Sequence, residues 1–318
     1  MIAAEYVLPL AWSDDAGLGE LAAYLERLAT WIDVTVVDGS APDRFQEHRR
    51  RLPPSVRHLT PAPWPGPNGK VAGVMTGVRA ARHEHVVLAD DDVRYDRPAL
   101  SQVVAALESA DVARPQNVFV PLPWHARWDT GRTLLNRAFG SDYPGTLGIR
   151  RSTLLAAGGY DGHALFENLE LLRTIRAAGG REARLDSVAV PRIPPTLRHF
   201  LGQRVRQAYD DFAQPARLAA ELLLLPALLV AARRPARLLL VGAAAVLLAE
   251  AGRRRAEGGS MFPRTSALWA PLWLTERAIC VWVAVLARAR GGARYRGERV
   301  RLAAHSARSL AGRRTASA

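Results

Sequence analysis

The 318-residue sequence contains very little cysteine and lysine. Cys280 is the only cysteine, which excludes an internal disulfide framework and a cysteine-based zinc site. Lys70 is the only lysine, so arginine supplies all other strongly basic side chains. The sequence does not open with a basic segment and a long apolar stretch. We therefore expect no secretory signal and a first domain that stays in the cytoplasm.

Acidic residues are scarce only in the last third of the chain. The formal net charge is +13, yet residues 1–215 carry 25 basic and 25 acidic side chains. Residues 216–318 carry 18 arginines against five glutamates, which accounts for the whole excess. A nucleic-acid-binding protein would place a basic stripe on a folded face. The neutral first part and the apolar runs between the arginine clusters argue against that class, so we expect no nucleic-acid partner.

Apolar runs interrupt the basic region. They cover residues 218–232, 236–249 and 267–287. The first two are shorter than the ~20 residues of a membrane span. The third carries Glu276 and Arg277, which are costly in lipid unless they pair or face protein. Flanking arginines and tryptophans suit an interface with anionic lipid. We predict a membrane-associated helical region over 213–290 and a disordered or surface-bound basic tail over 291–318; a soluble helical subdomain is the alternative.

Residues 1–212 alternate short apolar strands with helical stretches. Strand patterns cover residues 6–10, 34–37, 86–89 and 118–121, with amphipathic helical periodicity over 18–31. A loop-like stretch with Trp124, His125 and Trp128 follows the last of these strands. This order predicts an α/β fold with a mostly parallel sheet covered by helices on both faces. Ligands of such sheets bind beyond the carboxyl ends of the strands.

Three consecutive aspartates follow the strand at residues 86–89. Packing three carboxylates together costs mutual repulsion unless a cation lies beside them. Asp90 and Asp92 can aim at one point, and their hard oxygens suit Mg²⁺ or Mn²⁺ carrying a phosphate. Asp91 should point to the other side of a strand-like backbone. A solvated acidic turn is the alternative interpretation.

Further motifs occur around the aspartates in a fixed order. They are Asp38-Gly39-Ser40, Asn68-Gly69-Lys70, Asp90-x-Asp92, Gly158-Gly159-Tyr160-Asp161, Glu167-Asn168 and Gln203-Arg204-Val205-Arg206-Gln207. In this order they resemble the motifs of family 2 glycosyltransferases, which have the GT-A nucleotide-diphospho-sugar transferase fold. The resemblance extends over roughly residues 4–212. It implies an inverting transfer of one sugar from a nucleotide-diphosphate donor to a hydroxyl.

The resemblance also implies roles for individual side chains. The donor would be bound by Asp38, Lys70, Asp90, Gln203 and Arg206. Asp90 and Asp92 would hold Mg²⁺ or Mn²⁺, with Asp92 as the principal ligand. Tyr160 and Asp161 would lie on the acceptor side. A turn-forming Asp38, a solvated Lys70, a glycine-terminated helix before Tyr160 and a basic membrane-proximal face at Arg206 are the structural alternatives.

The catalytic base is the point at which this sequence departs from the family pattern. The family has Glu-Asp with aspartate as the base, whereas this chain has Glu167-Asn168. An amide cannot take the proton of an acceptor hydroxyl, so the role passes to Glu167 or, as the alternative, to Glu170. Both could also be solvated helix residues. Gln207 replaces the family's tryptophan, which argues against a processive polysaccharide synthase.

Together these features predict a metal-dependent glycosyltransferase at the cell membrane, with a cytoplasmic GT-A domain over residues 1–212. We expect a lipid or polyprenyl carrier as acceptor, by analogy with ceramide glucosyltransferase-like enzymes. One alternative is a transferase that acts on a soluble acceptor. Another is a catalytically inactive, glycosyltransferase-like membrane scaffold.

Overall fold

The structure is a computed structural model that describes residues 1–140, 142–295 and 297–315. Its strands are β1 (Glu5–Leu10), β2 (Asp33–Asp38), β3 (Arg57–Leu59), β4 (His85–Ala89), β5 (Val112–Phe119), β6 (Thr146–Arg150), β7 (Glu182–Arg192), β8 (Ala293–Tyr295) and β9 (Glu298–Val300). Its α-helices are α1 (Leu18–Ala29), α2 (Pro42–Arg51), α3 (Gly69–Ala80), α4 (Arg97–Ala106), α5 (Trp124–Phe139), α6 (Arg151–Ala156), α7 (Glu167–Ala177), α8 (Leu197–Tyr209), α9 (Pro215–Ala231), α10 (Pro235–Arg254), α11 (Gly258–Met261), α12 (Ala270–Ala289) and α13 (Ala307–Thr315).

The chain forms two compact units, and both are discontinuous in sequence. The first unit contains Met1–Asn117, Tyr143–Pro191 and the segment from His305 onward. The second contains Val118–Asp142 and Arg192–Ala304. These units differ from the predicted boundaries at residues 212 and 290, because helix α5 groups with the later helices and the end of the chain returns to the first unit.

The first unit is built on a mostly parallel seven-stranded sheet, as the sequence predicts. The strand order is β3-β2-β1-β4-β6-β5-β7. Strand β1 pairs in parallel with β2 and β4, and β6 is the antiparallel insertion between β4 and β5. Tyr6 and Leu8 point into one hydrophobic core and Val7 into the other. Both faces of the sheet are therefore buried, which explains its near-continuous apolar strands.

The sequence misplaces one strand. An apolar pattern predicts strand 118–121, whereas β5 begins six residues earlier, at Val112. Because Arg114 and Gln116 are polar, a search for apolar runs does not detect this strand. Both residues are nevertheless buried. The guanidinium of Arg114 pairs with Glu182 at 2.8 Å, which compensates its burial.

Residues 124–128 also differ from expectation. They form the first turns of α5, although the sequence suggests a loop around Trp124, His125 and Trp128. The Nε2 atom of His125 lies 2.8 Å from the Pro195 carbonyl oxygen, so this histidine has a structural partner.

The second unit buries several charged side chains and exposes several large apolar ones. Helix α12 contains Arg277, which is 1 % exposed and donates to Asp211 at 2.8 Å. Its neighbour Glu276 lies 3.5 Å from Arg204. The two charges that the sequence places in the third apolar run therefore face protein and pair with different partners. Large apolar side chains are exposed on the same unit: Leu223, Leu229, Leu239, Leu240, Leu247, Leu268, Ile279 and Leu286.

Within the described residues, two helical segments are long and apolar enough to cross a membrane. They are Pro235–Arg254 and Arg264–Ala289. The first was predicted as a run too short to span, and it is longer because α10 continues through Arg253 and Arg254.

Candidate active site

The aspartate triplet lies on a tight turn at the carboxyl end of β4. The Asp90 amide donates to the Gly145 carbonyl at 2.9 Å, and the Val93 amide donates to the Asp90 carbonyl at 3.1 Å. The strand therefore ends at Ala89, and the expected strand-like alternation of the three side chains does not apply. The Asp91 carboxylate nevertheless has a partner of its own, because it accepts a hydrogen bond from the Trp12 indole.

Lys70 forms the centre of the candidate site. Its ammonium lies 2.5 Å from Asp90 Oδ1 and 2.6 Å from Glu167 Oε1, so it bridges two side chains that are 77 positions apart in sequence. Burial would lower the pKa of Lys70, but the charges of Asp90 and Glu167 outweigh that effect and raise it above its ordinary value. The structure therefore joins three predicted site residues through the ammonium group of Lys70.

Asn68 fixes the positions from which Lys70 and Glu167 reach each other. Its Oδ1 caps helix α3 by accepting from the Lys70 amide at 3.1 Å. Its amide nitrogen donates to the Ala164 carbonyl at 3.0 Å, just before α7 begins at Glu167. Nothing in the sequence around Asn68 indicates the second contact, because its partner lies 96 positions away.

The asparagine that replaces the family's aspartate has a structural partner. Asn168 Nδ2 donates to the Pro144 carbonyl at 3.0 Å. Its side chain also lines a small pocket together with Lys70, Asp90 and Tyr160. The other alternative base, Glu170, is 0 % exposed and is occupied by His305, whose backbone amide donates at 2.7 Å and whose ring lies at 2.8 Å. Of the two candidate bases, Glu167 contacts Lys70, whereas Glu170 is bonded to His305.

Asp38 ends β2 in a closed environment. Its carboxylate is 1 % exposed and contacts His48 at 2.6 Å, His58 at 3.1 Å and the Ser40 amide at 2.9 Å. Burial raises the pKa of Asp38, but these hydrogen bonds prevail and hold it well below its ordinary value. The expected contact to a donor stays a prediction, and the two histidines are partners that sequence analysis missed.

The predicted acceptor-side residues follow a loop with two left-handed glycines. Gly158 and Gly159 have φ values of 80° and 81°. A Cβ on Gly159 would lie 2.7 Å from the Trp64 ring, so the loop needs glycine there for space as well as conformation. The Trp64 indole donates to the Tyr160 carbonyl at 2.9 Å. Asp161 accepts from the His163 amide at 2.8 Å.

Gln203 and Arg206 belong to the second unit, on helix α8. The Arg206 guanidinium donates to Gln203 Oε1 at 3.3 Å and stacks 5.2 Å above the Tyr295 ring. Their proposed contacts with a donor diphosphate remain predictions.

The aspartate turn has the chemistry of a shared metal site. Across the described part of the chain, no group of three or more His, Cys, Asp or Glu side chains is placed to hold a metal ion by itself. Mg²⁺ and Mn²⁺ commonly take only one or two protein carboxylates, with substrate phosphates as further ligands. Asp90 and Asp92 fit that arrangement, since both provide hard oxygens on one half-buried turn.

Comparisons with known proteins agree with this fold. Residues 20–167 match the family model described as Glycosyl transferase family 2. No curated protein sequence matches the chain. A solved structure of the mannosyltransferase PcManGT from Pyrobaculum calidifontis, in complex with GDP-Man and Mn²⁺, superimposes with a TM-score of 0.53 at 16 % identity. That match covers 90 % of this chain and 86 % of the other.

A second solved structure, described as a mycobacterial protein, has a TM-score of 0.42 at 15 % identity and covers 63 % of this chain and 70 % of its own. The low identities restrict the structural likeness to the fold, which is GT-A-like. The family match spans β2, the Lys70 helix, the aspartate turn and Glu167. Residues 20–167 are therefore similar to the family 2 glycosyltransferases, the fold is GT-A-like, and the two findings together support a glycosyltransferase.

Proposed function

We propose that the protein is an inverting transferase that moves one sugar from a nucleotide-diphosphate donor to an acceptor hydroxyl with the help of a divalent metal. The observation that carries the proposal is the position of Lys70 between Asp90 and Glu167. One charged group connects the carboxylate assigned to donor and metal with the carboxylate assigned to the acceptor proton. A solvated acidic turn would not need a half-buried counter-ion that also pairs with Glu167.

In this proposal each residue has a defined task. Asp90 and Asp92 hold Mg²⁺ or Mn²⁺, which as a Lewis acid offsets the charge that develops on the leaving diphosphate. Lys70 provides a second positive charge beside the leaving diphosphate. Glu167 accepts the proton of the attacking hydroxyl. Tyr160 and Asp161 lie on the acceptor side, and Arg206 with Gln203 contributes to the donor contacts.

GDP-mannose is the first donor to test, because the structural relative PcManGT was solved with GDP-Man and Mn²⁺. We expect GDP-mannose with Mn²⁺ to raise the melting temperature of the protein. A ligand at 100 times its Kd stabilises the folded state by about 2.7 kcal/mol. Asp92→Ala should abolish the manganese-dependent part of the shift, measured by differential scanning fluorimetry.

The matched control is Asp91→Asn, which keeps an acceptor for the Trp12 indole. It should retain the manganese-dependent shift. A panel of UDP-, GDP- and dTDP-sugars distinguishes a different donor from no donor. The proposal fails if none of them stabilises the wild-type protein with either metal.

We further propose that the second unit binds a membrane and that the acceptor is a lipid or polyprenyl carrier, with the catalytic domain on the cytoplasmic side. The burial of charged side chains and the exposure of leucines in that unit support the membrane proposal. Arg277 and Asp211 are buried inside it, whereas Leu239 is 75 % and Leu247 is 70 % exposed. Arginines flank the apolar helices, which favours a membrane with anionic lipids. An exposed apolar surface of this extent is unusual on a soluble monomer.

Sedimentation with lipid vesicles tests the membrane proposal. We expect the full-length protein to pellet with phosphatidylcholine vesicles that contain phosphatidylglycerol, and less with phosphatidylcholine alone. Leu239→Ser with Leu247→Ser should weaken partitioning at least tenfold, since each fully buried leucine contributes about 1.5–3 kcal/mol. Val120→Ser, at an exposed apolar position outside these helices, should partition like wild type. A wild-type protein that stays in the supernatant would contradict the proposal and favour a soluble acceptor.

A further inference from the structure

A second polar cluster of the first unit surrounds His48, on helix α2. The ring of His48 is completely buried, and each of its two nitrogens faces a carboxylate. Its Nδ1 atom lies 2.6 Å from Asp38 Oδ2, and its Nε2 atom lies 3.0 Å from Asp15 Oδ1. The ring therefore joins the end of β2 to the loop of residues 11–17, which connects β1 with α1.

The two carboxylates determine which hydrogen bonds the ring makes. Aspartate ionises well below neutral pH. The hydrogen bond with His48 lowers the pKa of Asp15 further, and at Asp38 burial raises the pKa but several hydrogen bonds prevail and lower it. An ionised carboxylate only accepts hydrogen bonds, so both ring nitrogens have to donate. A histidine that donates from both nitrogens carries two protons and a positive charge.

Two more basic groups share these carboxylates without joining them. Arg44 donates to Asp15 at 3.0 Å, and His58 Nε2 lies 3.1 Å from Asp38. The Nδ1 atom of His58 has no hydrogen-bond partner in the described part of the chain, so His58 contacts only one of the two carboxylates. Among the described residues, His48 is therefore the group that bonds to both.

The loop that His48 contacts lies at the edge of the sheet where the donor is proposed to bind. Strand β1 lies between β2 and β4, and ligands of such sheets bind beyond the carboxyl ends of the strands. The Trp12 amide in this loop donates to Ser40 Oγ at 2.9 Å, and its indole donates to Asp91 in the aspartate turn. The His48 ring packs edge-on against the Trp12 ring, with centroids 6.0 Å apart. Loop 11–17 thus connects the end of β2 with the aspartate turn.

We infer that His48 is a positioning residue of the donor site, whose doubly protonated ring fixes loop 11–17 to the end of β2. The inference rests on the proposed transferase function and deepens it. The side chain of His48 is fully buried, so it acts through other residues and not by touching the donor. It acts through Asp15 and Trp12, which keep the loop beside Asp91. Loss of the bond to Asp15 should loosen the loop without changing the reacting groups.

Nuclear magnetic resonance of the imidazole nitrogens tests the charge of the ring. In the full-length protein labelled with ¹⁵N-histidine, at neutral pH, we expect one ring with protons on both nitrogens, and its signals should disappear in His48→Asn. The matched control is His83→Asn. His83 also contacts an aspartate, Asp33 at 2.7 Å, but at the amino ends of β2 and β4. A neutral His48 ring in the wild-type protein would overturn the inference.

Hydrogen–deuterium exchange tests the hold on the loop without any donor. Asparagine keeps a donor near the position of Nδ1 but is too short to reach Asp15. We expect His48→Asn to speed exchange in residues 11–17 about tenfold, the loss of a hydrogen bond to a charged group. Asp15→Ala removes the same bond at a side chain that is 26 % exposed, so it remains informative if His48→Asn does not fold. The double variant should exchange no faster than the faster single variant, because both changes remove one bond.

Donor kinetics test the positioning role. Both single variants should raise the donor KM about tenfold and leave kcat unchanged, whereas His83→Asn should keep the wild-type values. Wild-type exchange of loop 11–17 in His48→Asn and Asp15→Ala, or a wild-type donor KM in both, would overturn the inference. If the wild-type protein binds no nucleotide sugar, the transferase proposal fails and the role in donor binding fails with it. The exchange experiment then still decides whether His48 fixes the loop, so the two failures are distinguishable.

Discussion

Glu167→Gln should lower kcat for sugar transfer by about 10²–10⁴-fold, the usual contribution of a positioned general base. Glutamine keeps the size of the side chain and can accept a hydrogen bond from Lys70 through its carbonyl oxygen. It cannot take the proton of the acceptor hydroxyl. The donor-induced thermal shift should therefore persist while transfer from the radiolabelled donor to an extracted lipid fraction is nearly lost.

Comparison with two other glutamates makes this experiment specific. Glu26→Gln, on the exposed face of α1, should leave kcat unchanged. Glu170→Gln disturbs the contacts with His305 and should act mainly on acceptor KM. If Glu167→Gln keeps wild-type kcat, another group takes the proton and the assignment of the base is wrong.

Arg277→Met should destabilise the second unit by about 3 kcal/mol, because it leaves the buried Asp211 carboxylate without one of its cationic partners. Breaking a buried ion pair usually costs about 3–5 kcal/mol. We expect the lower end, since the Arg217 Nε atom still lies 2.9 Å from Asp211. Burial and the nearby Asp211 raise the pKa of Glu221 to about 8 in spite of Arg277. Asp211 is therefore the main charge that Arg277 balances at neutral pH.

Thermal unfolding in detergent micelles measures this effect. Arg290→Met, at an exposed position after α12, should melt like wild type. The double variant Arg277→Met with Asp211→Asn should recover part of the loss, because it removes the charge that the single variant leaves unpaired. Equal melting temperatures for Arg277→Met and Arg290→Met would show that the buried pair adds nothing to stability.

The fold was largely predictable because its signals are local. Strands β1, β2 and β4 are apolar runs, and a sheet buried on both faces requires such runs. Strand β5 was misplaced because Arg114 is buried through a partner, Glu182, that lies far along the chain. The ordered structure after residue 300 was missed for the same reason. Its stabilising contacts with Glu170 and Arg173 are not visible in an arginine- and alanine-rich sequence.

The sequence could propose members of the site but not the contacts between them. The order of motifs indicated Lys70, Asp90 and Glu167, and the structure joins them. The sequence could not show that Asp38 is enclosed by His48 and His58, or that Trp12 holds Asp91, because these contacts depend on tertiary packing. Asp92 remains a predicted metal ligand, and the second-unit residues Gln203 and Arg206 remain predicted donor contacts.

The return of the chain end to the first unit has a consequence for synthesis. Domains generally fold as units while the ribosome is still extending the chain, with the earlier part first. Here helix α7, which begins with Glu167, is hydrogen-bonded by His305, which follows the apolar helices of the second unit in sequence. The first unit is therefore completed only after those apolar helices have been translated.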